Sequence, residues 1–96
     1  MLTPKNIAAK LTEIKPYLTD KFKVKRIGYF GSFANGNYRE DSDIDFLVEF
    51  ETTPGWDFFA LEEYLENIFD RKIDLVTKSA LREQLKEQIL QTVKYG

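Results

Sequence analysis

Ile7, Leu11, Ile14 and Leu18 recur at three- and four-residue steps, the spacing of one face of an α-helix. Thr3-Pro4 just ahead of them reads as an N-cap followed by proline at the first helical position, so a helix is expected over roughly residues 4–21. The pattern then changes. Lys23 to Phe30 carries Val24, Ile27, Tyr29 and Phe30, ends at Gly31, and reads as a strand. Ser32 to about Gly36 reads as a turn into a short helix, and Asn37 to Ser42 as polar loop. From Asp43 to Phe50 apolar and polar positions alternate. Ile44, Phe46, Val48 and Phe50 share one face, and Asp43, Asp45, Leu47 and Glu49 share the other, which is the period of a strand.

Thr52, Thr53, Pro54 and Gly55 make a turn. A second amphipathic helix is expected from about Asp57, with Phe58, Leu61, Leu65, Ile68 and Phe69 on one side. The neighbouring aromatics Trp56, Phe58 and Phe59 are expected to pack in the core rather than form a partner surface. KIDLVT, residues 72–77, reads as a third strand, and Ser79 as the N-cap of a last helix carrying Leu81, Leu85, Ile89 and Val93. The order is α-β-(α)-β-α-β-α, so an α/β or α+β sheet with helices on it is expected. There is no internal repeat or linker, and residues 1–96 read as a single domain.

Composition narrows the chemistry. Lys plus Arg number 14 and Asp plus Glu 16, a net charge of −2, which argues against a dedicated DNA or RNA binder. With no cysteine and no histidine, Ser-His-Asp and Cys-His hydrolases and the usual zinc sites are excluded. Neither a signal peptide nor a membrane-spanning run is expected. Any catalysis therefore falls to carboxylates, hydroxyls, Lys or Arg, working with a hard metal ion.

Asp43 and Asp45 supply such a site. Side chains two apart on a strand point the same way, with Cα atoms about 6–7 Å apart. Two like charges so close raise each other's pKa unless a cation sits between them. Mg²⁺ suits oxygen ligands and commonly bridges one or two carboxylates to substrate phosphates. Asp74, between Ile73 and Leu75, could join on the neighbouring strand. Three carboxylates can hold two metal ions for phosphoryl or nucleotidyl transfer. At the other end of the loop, Gly31 lets a phosphate approach the backbone, and the Ser32 hydroxyl and helix-start amides can donate to it. Arg39 and Lys78 could add charge, but each reads better as a solvated surface residue. Two rival motifs fail. Asp41, Asp43 and Asp45 match the first ligands of a calcium-binding EF-hand loop, but Phe46 and Thr52 stand where Gly and Glu are needed. Gly31 and Gly36 have P-loop spacing, but Asn37 and Tyr38 replace the required Lys and Ser/Thr.

Gly31-Ser32, then ten residues, then Asp43-x-Asp45 resembles the GSx10DxD signature of the DNA polymerase β-like nucleotidyltransferase superfamily. The stretch GSFANGNYREDSDIDFLVEF is similar to its minimal, MNT-type members, and the likeness spans nearly the whole chain. The resemblance implies a small mixed sheet flanked by helices and Mg²⁺-dependent transfer of a nucleoside monophosphate, with two ions and ATP as donor. It assigns Gly31 and Ser32 to the triphosphate, Asp43 and Asp45 to the metals, and Asp74 to metal and acceptor hydroxyl. It also implies a cytoplasmic antitoxin that adenylylates a tyrosine of a HEPN-domain toxin, with no DNA or membrane partner. The alternatives are a binding module that neutralises the toxin by contact alone, and a catalytic subunit acting on a small molecule or RNA. One departure is Asn35, where the family often has Arg in GSxARG.

Overall fold

The computed structural model describes residues 2–81 and 83–95, without the side chains of residues 83–85. Helix α1 (Pro4–Phe22) begins as a capping box. The Thr3 hydroxyl accepts from the Asn6 amide and the Asn6 side chain accepts from the Thr3 amide, both at 3.2 Å. The helix continues through Pro16 and ends at Lys23, which takes the left-handed conformation at φ 59°. Strand β1 (Val24–Phe30) leads to the short helix α2 (Ser32–Asn35), and a polar loop carries the chain to β2 (Ile44–Phe50). Helix α3 (Asp57–Phe69), β3 (Ile73–Thr77), α4 (Glu83–Thr92) and β4 (Lys94–Tyr95) follow.

The sheet order is β3-β2-β1-β4. β2 runs antiparallel to β1 and parallel to β3, and β4 pairs antiparallel with β1, so the sheet is mixed as expected. One face carries Val24, Ile27 and Tyr29 of β1, Ile44, Phe46 and Val48 of β2, and Ile73 and Leu75 of β3. Ile7, Leu11 and Leu18 of α1 and Leu61 and Leu65 of α3 are fully buried against it. Each such side chain contributes about 1.5–3 kcal/mol by leaving water. Asp45, Leu47 and Glu49 therefore point to the opposite face, where Val93 closes against Gly28: a Cβ at Gly28 would lie 2.9 Å from its Cγ2.

Three expectations need correction. Ser79 does not cap the last helix. It lies in a 3-10 turn (Lys78–Ala80), Leu81 is extended, and α4 starts later at Glu83. Val93 lies past the end of α4, while the side chain of Leu85 falls outside the described residues. The chain then adds β4, a two-residue edge strand with no alternation to announce it. The aromatics after the turn also part company. Phe58 packs against the core, but Trp56 is 87% and Phe59 61% exposed. On α3 the buried stripe runs through Leu61 and Leu65, and Phe59 falls on the outer side of it.

Candidate active site

The site forms where β1 ends and β2 and β3 begin. Phe30 of β1 pairs with Asp45 of β2, and Asp45 pairs in register with Asp74 of the parallel strand β3. Neighbouring strands lie about 4.8 Å apart, so the two acids stand side by side on the same face. Asp43 lies one residue before β2 and is exposed, as is Asp74, while Asp45 is half-buried. The structure thus brings all three sequence-predicted acids to one corner of the sheet.

Gly31 closes that corner. Its backbone sits at φ 71°, ψ −143°, a conformation that side chains strongly disfavour. A Cβ there would also run into the Asp45 carboxylate. The Gly31 carbonyl accepts from the amides of Ala34 and Asn35, both at 3.0 Å, which starts α2. The Ser32 and Phe33 amides, in the first turn, have no carbonyl within the helix to bond. Gly31 therefore brings its backbone up against the Asp45 carboxylate with no side chain between them, just ahead of α2.

The electrostatics of Asp45 show what the corner lacks. Its carboxyl is pushed from 3.8 up to about 6, first by burial, then by Asp74 and Asp43. Among the described residues none of the three acids takes part in an ion pair. Nor are any three acids among those residues gathered into a ready-made metal cage. Oxygen donors with uncompensated charge fit a hard divalent cation, which would offset the burial and the repulsion that raise Asp45.

The candidate cations are placed differently. Lys78 lies at the far end of β3 and pairs with Glu49 at 3.5 Å, so it is remote from this corner. Arg39 is exposed, and its amide donates to the Ser42 hydroxyl at 2.7 Å. Asn35 is exposed as well and accepts from the Asn37 amide at 3.0 Å, bracing its own loop. Sequence reasoning passed over Arg71. Its Nη1 donates to the Ser42 carbonyl at 2.8 Å, next to Asp43. Beside Lys72 it reads as one more surface charge, and no periodicity singles it out.

The family model described as nucleotidyltransferase domain matches residues 11–95. The protein adenylyltransferase MntA of Thermococcus cleftensis is 44% identical over 96 residues, covering 99% of this chain and 97% of that one. The chain belongs to the nucleotidyltransferase domain family. A solved structure assigned as a minimal nucleotidyltransferase superposes with a TM-score of 0.81 at 31% identity, covering 97% of this chain and 95% of the other. A tri-AMPylated HEPN toxin of Shewanella oneidensis in complex with its MNT antitoxin matches with a TM-score of 0.65 at 25% identity, over 91% of this chain and 68% of that one. The mixed sheet and the flanking helices are thus those of a minimal nucleotidyltransferase, and the chain is an enzyme of that class.

Proposed function

We propose that the protein transfers AMP from ATP to a tyrosine hydroxyl of a HEPN-type toxin, and thereby acts as its antitoxin. The observation that carries this is the in-register pair Asp45 and Asp74 beside the side-chain-free Gly31. The full-length likeness to an MntA adenylyltransferase and the AMPylated toxin complex support the choice of reaction and partner.

Each residue has a distinct task. Ser32 and the first α2 amides bind phosphate oxygens, and Gly31 lets them come close. Asp43, Asp45 and Asp74 are the carboxylates that would hold the divalent ions. Bound Mg²⁺ would neutralise the departing pyrophosphate and acidify the acceptor hydroxyl. The acceptor oxygen forms its bond to the α-phosphorus as the bond to pyrophosphate breaks, and that electron pair leaves with the pyrophosphate. Asp74, which is exposed, would take the hydroxyl proton.

The test combines the protein, Mg²⁺, ATP labelled on the α-phosphate, and the protein encoded by the adjacent gene. Label is expected on a tyrosine of that protein. No label with the intact enzyme, or label that survives the double substitution Asp43→Ala and Asp45→Ala, would overturn the reading.

A further inference from the structure

Arg71 reaches the residues next to Asp43 and Ser32, and among the described residues it pairs with none of the site's acids. It lies three positions before Asp74, where the chain leaves α3 through Asp70, a left-handed residue at φ 51°. Its Nη1 donates to the carbonyl of Ser42, which directly precedes Asp43. Its guanidinium carbon lies 5.7 Å from the centre of the Phe33 ring, and Phe33 directly follows Ser32. Neither contact point is loose. Phe33 is 1% exposed and stacked on Tyr38 with centroids 4.8 Å apart and planes 12° apart. Ser42 is held from its other side, its amide donating to the Arg39 carbonyl at 3.1 Å.

We propose that Arg71 is a positioning residue that sets Asp43 against the Ser32 turn and Asp74, and so fixes how tightly the site holds a divalent ion with its nucleotide. The proposal rests on the adenylyl-transfer reading. Its physical basis is what Arg71 leaves alone. Among the described residues it joins no ion pair, so it organises the acids through a carbonyl and a ring without cancelling their charge. An arginine paired with Asp43 or Asp45 would compete with the cation for the same oxygens. Its Nε is buried without a hydrogen-bond partner, so the guanidinium is not placed to satisfy its own donors. Lysine could reach Ser42 but has no planar face to lay on Phe33.

Titration of the full chain with Mn²⁺ and a non-hydrolysable ATP analogue, followed by calorimetry, reads the effect without turnover. Arg71→Met is expected to weaken binding by about tenfold or more, the usual effect of losing a group that orients metal ligands. Arg71→Lys should recover part of it, with the KM for the acceptor protein unchanged in both. Wild-type affinity in folded Arg71→Met, or a Lys variant no better than Met, would overturn the proposal. If Arg71→Met does not fold, Arg71→Lys decides: a loss of about threefold supports the proposal, and wild-type affinity overturns it. Wild-type binding without transfer to the acceptor would overturn the transfer reading while leaving the Arg71 comparison readable. No binding by the wild type would overturn both.

Discussion

Asp45 and Glu49 are half-buried acids on the same face of β2, and they sit in opposite charge environments. Glu49 has Arg26 at 3.8 Å and Lys78 at 3.5 Å. Asp45 has Asp74 in register beside it, Asp43 two residues back, and among the described residues no ion-pair partner. At Glu49 the charge is offset by two cations, although its Oε2 makes no hydrogen bond. The end at Asp45 gathers negative charge, and its carboxyl holds a proton up to about pH 6. One strand therefore carries an acid paired with cations and an acid crowded by other acids, separated by which neighbours the sheet supplies rather than by residue type.

The sharpest way to break this comparison is to neutralise each acid in turn. Asp45→Asn should lower adenylyl transfer by at least about a thousandfold, as expected for a group acting in a metal-dependent catalytic unit. Glu49→Gln should leave the rate within about threefold, because its partners lie outside the site. Equal losses in a label-transfer assay would end the distinction.

The glycines give the next largest effect. Gly31→Ala should cost about 1–3 kcal/mol in urea unfolding for its backbone conformation alone. It should also abolish Mn²⁺–nucleotide binding, because the new Cβ meets the Asp45 carboxylate. Gly36, at φ 87° with nothing within 4 Å of a Cβ, should cost about 1 kcal/mol on the same substitution and keep its binding.

Acidity gives a smaller effect with a defined sign. The folded protein holds the Asp45 proton up to about pH 6, against 3.8 for an ordinary Asp carboxyl. Without metal, its contribution is therefore fully present below the unfolded value and is lost as pH rises through about 6. The loss should be roughly 1–2 kcal/mol once solvent screening at a half-buried site is allowed for. Asp45→Asn should remove that slope, measured as the difference from wild type in denaturant titrations across the window. Divalent-ion binding should strengthen over the same range, since it needs the carboxylate. The smallest effect belongs to Glu49→Gln, with a stability loss of about 1 kcal/mol on thermal melting, diminished by salt.

The helices and strands that pack on a single face were legible because burial imposes a period. The α1 stripe and the alternation in β2 appear in the structure with bounds shifted by a residue. The juxtaposition of Gly31, Ser32, Asp43 and Asp45 followed from spacing across one loop. The late start of α4 and the existence of β4 were not legible. A 3-10 turn and a two-residue edge strand carry too few side chains to show a period. Trp56 and Phe59 misled for another reason: hydrophobic identity favours burial but does not compel it, and here the orientation of α3 puts both outside.

By itself the sequence determined the local geometry: a glycine turn into a short helix, two carboxylates at the start of a strand, and a chemistry without histidine or cysteine. Only the tertiary structure decided which long-range partners complete that geometry. Strand order and register put Asp74 beside Asp45 and Glu49 between two cations, and Arg71 reached across to Ser42 and Phe33. Such pairings join residues far apart in the chain, and their free energy comes from the shared core rather than from any local pattern. The charge environment of each acid is therefore settled only once the sheet has assembled.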